Sequence, residues 1–104
     1  METKTFTRKS LRVKAMLTMS GSSPVMAHTF DIGTSGISLN CTDSIQEGRE
    51  GQVAFQISLN GNLRDIVAQV KVVDCIFSNG GFKSRMRFNA LPPQTMRTIQ
   101  DYME

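Results

Sequence analysis

"QVAFQISLNGNLRDIVAQV", residues 52–70, decides the architecture. Val53, Phe55, Ile57 and Leu59 fall on one face of an extended chain and Ala54, Gln56 and Ser58 on the other, the period of a strand with one side buried. Asn60 and Gly61 follow at once, a pair that tolerates the positive φ of a two-residue type I′ turn. The run from Leu63 to Phe77 is therefore expected to return antiparallel to the first. Along it the apolar phase changes from Ile66, Ala68, Val70 and Val72 to Val73, Cys75 and Phe77, which predicts a β-bulge near Val72.

The alternation extends to both sides of this hairpin. Upstream, Val13, Ala15, Leu17 and Met19 alternate with Lys14, Met16 and Thr18, "SGSSP" at 20–24 breaks the run, and Val25 to Ile32 forms a second extended segment. "GTSG" at 33–36 supplies two glycines for a reversal before Ile37 to Cys41. Downstream, "SNGG" at 78–81 makes a turn, and Phe82, Ser84, Met86 and Phe88 alternate with Lys83, Arg85 and Arg87, a strand with a basic outer face. Pro92 and Pro93 suit a helix start, and Met96, Ile99, Tyr102 and Met103 keep helical spacing. The pattern predicts an all-β fold, a six-stranded antiparallel β-barrel with a C-terminal α-helix, since closing the sheet removes its exposed edges. One domain spans 1–104: a flexible N-terminal arm at 1–12, the barrel at 13–89 and the helix at 92–103.

Composition narrows the function. With 39% hydrophobic and 20% charged residues, the 104-residue chain suits one globular domain and not a disordered one. No stretch approaches the roughly 20 apolar residues of a membrane span, and "METKTFTRKS" lacks the apolar centre of a secretory signal, so a cytoplasmic protein is expected. Cys41 and Cys75 stand 34 residues apart beside a single histidine, His28, which gives no zinc-ligand spacing and predicts reduced thiols and no metal. Neither cysteine has an evident base, no "GxSxG" or "GxxxxGK" occurs, and the nine carboxylates are scattered, so the chain reads as a binder and not an enzyme. The net charge of +3 is concentrated at the start: residues 1–14 hold Lys4, Arg8, Lys9, Arg12 and Lys14 against Glu2. An anionic partner follows.

Two elements then stand out. Arg8 and Arg12 form "RxxxR" on the approach to the first strand, and "DIGTSG", Asp31 to Gly36, forms the turn between the second and third. In this order and separation, on a small barrel ending in a helix, the chain resembles the PilZ domain family, bacterial receptors for the second messenger cyclic di-GMP. The likeness covers essentially the whole chain, including "SGISLNC" and "RMRFNALPPQTMRTIQDYM".

The resemblance implies a cyclic di-GMP site at Arg8, Lys9, Arg12, Asp31, Gly33, Ser35 and Gly36, with no other cofactor. The chemistry suits the ligand. An arginine fork grips phosphate oxygens or the O6 and N7 acceptors of guanine and stacks on the base. A carboxylate such as Asp31 accepts from the N1 and N2 donors of guanine, and glycines let a flat base approach closely. The arm would fold over the bound ligand and pass the signal to an effector protein or domain. Two departures qualify the likeness. Gly33 stands where the family usually has serine, a lost hydroxyl worth about 0.5 to 1.5 kcal/mol, although Thr34 or Ser35 lies beside it. Thr7 stands where many members carry a further arginine, which points to one bound ligand molecule and not a stacked pair. The alternatives are a PilZ-like protein-interaction adaptor with lost or weakened ligand binding, and a small barrel for single-stranded nucleic acid. The inward phase of Phe55, Phe82 and Phe88 leaves the latter few stacking platforms.

Overall fold

The computed structural model describes residues 7–104. Its strands are β1 (Lys9–Ser10), β2 (Lys14–Met19), β3 (Val25–Ile32), β4 (Gly36–Cys41), β5 (Glu50–Leu59), β6 (Asn62–Ser78) and β7 (Gly81–Phe88), followed by the helix α1 (Pro93–Met103). The order β3-β2-β5-β6-β7-β4 returns to β3 through a β3–β4 pairing, so six antiparallel strands close a barrel, as the alternation predicts. The two-residue β1 continues the β2 seam along β3, with Lys9 opposite Ile32 and Ser10 opposite Asp31. Residues 1–6 of the segment read as an arm lie outside the described residues.

The break between β1 and β2 is knit by one buried hydroxyl. Thr29 Oγ1 accepts from Val13 N at 2.9 Å and donates to the Leu11 carbonyl, while Leu11 N donates to the Phe30 carbonyl at 3.2 Å. Leu11 is thereby turned into the core.

Both hairpins carry the expected turn chemistry. Asn60 and Gly61 have φ of 53° and 82°, and Asn79 and Gly80 have 51° and 80°, the left-handed values that a type I′ connection needs. The β6–β7 register shifts between Val72 and Asp74, where the apolar phase of the sequence changes. A second shift, in β3–β4 between Thr29 and Asp31, leaves no trace in the hydrophobic pattern.

The core is the inner face of the barrel: Leu17, Ile32, Ile37, Leu39, Val53, Ile57, Ile66, Val70 and Val72 are fully buried. Each such side chain contributes about 1.5 to 3 kcal/mol of burial free energy. Ile99 of α1 joins this core, and the helix rests on β5 and β6. Cys41 and Cys75 are half-buried free thiols. No helix among the described residues is long and apolar enough to cross a membrane.

Candidate functional site

The turn after β3 and the strand β7 build one wall. The register shift at Thr29/Asp31 leaves Phe30 and Asp31 half-buried in succession, instead of one inside and one outside. Gly36 opens β4 against β7, and a β-carbon there would run into the Met86 carbonyl and lie 3.3 Å from Arg87 Cα. Only glycine lets the two strands meet. The turn is tied by Gly33 N to the Gly36 carbonyl at 2.9 Å and by Phe88 N to the Ser35 carbonyl at 2.9 Å.

Arg8 lies across this turn. Its Nη2 donates to Asp31 Oδ1 at 2.7 Å and to Ser38 Oγ at 3.2 Å, and its Nη1 donates to the Gly36 carbonyl at 3.3 Å. Gly33 allows the approach, because a β-carbon there would stand 2.8 Å from the Thr7 carbonyl and 3.4 Å from Arg8 Cδ. Arg8, Asp31, Ser35 and Gly36 line an open cleft of about 560 Å³ together with the basic face of β7, Lys83, Arg85 and Arg87.

Arg12 stands next door. Its guanidinium is 4.8 Å from the centroid of the Phe30 ring, and Lys83 Nζ is 3.9 Å from the same ring, so one aromatic ring organises two cations. Arg12, Phe30 and Asn40 line a second cleft of about 450 Å³, and Lys83 borders both. Lys9 is placed elsewhere: its Nζ donates to the Tyr102 carbonyl at 2.8 Å and sits 4.4 Å from the centre of that ring, against α1. Six of the seven residues singled out from the sequence thus cluster about the β3–β4 turn and the two clefts, while Lys9 faces the helix.

Sequence reasoning left out Phe30, Ser38 and Asp74. The bulge that sets Phe30 among the cations is silent in the sequence, and Ser38 reads there as an ordinary strand position. Asp74 reaches the wall through the β6 bulge, which sets it opposite Arg85. Arg85 Nε donates to both its carboxylate oxygens, at 2.9 and 3.1 Å, and Nη2 adds a further bond. This hydrogen bonding and the positive charge hold the Asp74 carboxyl below its usual range, and the carboxylate in turn raises the Arg85 guanidinium. Arg87 and Lys83 make no ion pair among the described residues.

The arrangement suits a planar anionic ligand that offers both donors and acceptors. Burial, with Cys75 and Asp43 nearby, pushes the Cys41 thiol up to about 11, which keeps it protonated and unreactive at neutral pH. His28 is exposed on β3, and no group of three or more potential metal-binding side chains occurs among the described residues.

Comparison with known proteins accords with this geometry. The family model described as PilZ domain matches residues 4–104. Among solved structures, the Bacillus subtilis inhibitor of motility (MotI/DgrA) aligns over 99% of this chain and 50% of its own, with a TM-score of 0.86 at 12% identity. The PilZ domain of YcgR from Escherichia coli, solved with c-di-GMP, aligns over 98% of this chain and 89% of its own, with a TM-score of 0.76 at 13% identity. The Borreliella burgdorferi PlzA protein, in complex with c-di-GMP, aligns over 88% of this chain and 32% of its own, with a TM-score of 0.62 at 16% identity. The chain therefore spans half the length of the motility inhibitor and about a third of PlzA. A search of curated proteins found no similar sequence.

Proposed function

Since the chain belongs to the PilZ domain family, we propose that it is a receptor for cyclic di-GMP in which the N-terminal segment carrying Arg8 and Arg12 responds to the ligand and presents a changed surface to an effector protein or domain. The observation that carries the reading is the convergence of Arg8, Asp31, Ser35 and Gly36 on one cleft, faced by the three cations of β7.

The Arg8–Asp31 contact suggests how such a response begins. The guanidinium offers Asp31 the same kind of N–H donors that the N1 and N2 edge of guanine offers. A bound guanine takes those acceptors, and the displaced Arg8 is then available to a phosphate or to the O6 and N7 edge of a base. Arg12, already held against Phe30, offers a flat cation for stacking. Lys83 and Arg87 supply charge for the phosphates.

Calorimetric titration with cyclic di-GMP tests the reading. Saturable binding is expected, weakened about tenfold to a hundredfold in Arg8→Ala or Arg12→Ala, the value of one charge-assisted hydrogen bond. Lys9→Ala, whose side chain lies against α1, should weaken binding less than either arginine variant. The absence of saturable binding by folded protein at high micromolar ligand rejects the receptor reading and leaves the protein-interaction adaptor, which Gly33 and the already satisfied Asp31 favour.

A further inference from the structure

A second surface lies away from both clefts. Met26 of β3 stands opposite Met16 of β2, Met16 opposite Ala54 of β5, and Ala54 opposite Val67 of β6. These four residues make an unbroken apolar row across four strands on the outside of the barrel. Met26, Met16 and Val67 are 51%, 39% and 49% exposed, and Ala54 is half-buried. Single exposed apolar residues need no explanation, but a continuous row does. Polar rows flank it. Two residues along on one side are Thr18, Gln52 and Gln69, with Gln69 Nε2 donating to Gln52 Oε1 at 2.9 Å. On the other side are His28, Lys14, Gln56 and Asp65, with Gln56 Nε2 donating to Asp65 Oδ1 at 2.8 Å.

We infer that this face binds a second copy of the chain, sheet on sheet. A two-fold axis lying in the contact plane and parallel to the strands reverses strand order between the copies. It sets Met16 over Ala54 of the second copy and Met26 over Val67 of the second copy, so each long flexible side chain meets a shorter one. The same operation lays His28 over Asp65 of the second copy, with Lys14 one strand away from that acid. The face is complementary to itself in both size and charge. Placed without reversal, about an axis across the strands, Met16 meets Met16 and Asp65 meets Gln69, which loses both matches.

The patch covers about 19 by 14 Å, from strand spacing and rise, which is well under the roughly 800 Å² per partner of a stable interface. The outer face of a barrel is convex, which confines contact to the row and its flanks. The dimer is therefore weak and concentration-dependent, with a dissociation constant on the order of 100 μM. It leaves the β3–β4 turn and β7 uncovered and does not require the ligand.

Sedimentation equilibrium from about 10 μM to about 1 mM reads the association directly. The wild-type chain should shift from monomer to dimer, and Ala54→Arg or Val67→Lys should lower the association constant about tenfold or more. Phe77→Ser, at a 70% exposed residue near the tip of the β6–β7 hairpin, should leave it unchanged. A monomer throughout the range overturns the inference, including one whose row is covered only by some other protein. So does a dimer that survives both row variants, or one lost with Phe77→Ser alone. If the row variants fail to fold, dilution of the wild-type chain with labelled methionine methyls decides: shifts at Met16 and Met26 support the interface, and unchanged Met16 and Met26 methyls overturn it.

Discussion

Gly33 and Gly36 are both constrained by neighbours, but by neighbours of unequal freedom. Gly36 faces the backbone of β7, which is hydrogen-bonded on both edges, so a β-carbon there has nowhere to go. Gly33 faces the Thr7 carbonyl and the flexible aliphatic stem of Arg8, in a segment whose strand pairing begins only at Lys9 among the described residues. Gly36→Ala is accordingly expected to cost about 1 to 3 kcal/mol, the usual price of overpacking, seen as a lowered thermal midpoint. Gly33→Ser should lower the midpoint less, while shifting the nuclear magnetic resonance signal of the Arg8 guanidinium as its contact with Asp31 loosens. Equal loss of stability in the two variants, or an unmoved Arg8 signal in Gly33→Ser, contradicts this account of the turn.

Among the elements, the strands were the most legible and the bulges decided what was not. Period-two alternation located the long strands because each buries one face, and Asn60-Gly61 set the register of β5 against β6. Motif order anticipated that Arg8, Asp31, Ser35 and Gly36 would be brought together in space. The direction of the Lys9 side chain was not evident, since a two-residue strand gives no alternation from which to tell that it turns to α1. Phe30 and Asp74 were hidden for a related reason: each sits at a register shift, where adjacent residues no longer take opposite faces. The β6 bulge has a measurable consequence. Because the Asp74 carboxyl is held below its usual value of 3.8, chiefly by hydrogen bonds from Arg85, the folded state binds that proton less readily than the unfolded chain. The pair thus adds stability above the usual carboxylate range and loses it as pH falls through the lowered value. Wild type should melt slightly above Asp74→Asn at pH 6, the difference being small because the pair is exposed, and the two should converge in acid once the pH lies below the lowered value. A gap that persists in acid assigns the effect to packing instead of charge.

At the scale of the molecule, the two ends of the described chain are joined beside the cleft that Arg8 and Asp31 line. Tyr102 of α1 donates its hydroxyl to the Ser10 carbonyl at 2.8 Å, and Lys9 Nζ returns a bond of 2.8 Å to the Tyr102 carbonyl while lying over its ring. Arg8, the preceding residue, faces the other way onto Asp31. One short strand, β1, is therefore gripped by the helix through Lys9 and Ser10 and by the β3–β4 turn through Arg8. A change at either grip is carried by the same few backbone atoms, so under the proposed function a ligand that released Arg8 from Asp31 would also alter the footing of α1. Tyr102→Phe removes one hydrogen bond, worth about 0.5 to 1.5 kcal/mol, and leaves the aromatic packing in place. Amide exchange in β1 should accelerate up to about tenfold, with little change in the β5–β6 hairpin, whose opening requires loss of the whole core. Exchange in β1 that is unchanged, or that rises equally across the barrel, would show that the helix does not hold this strand and that the ends of the chain are independent.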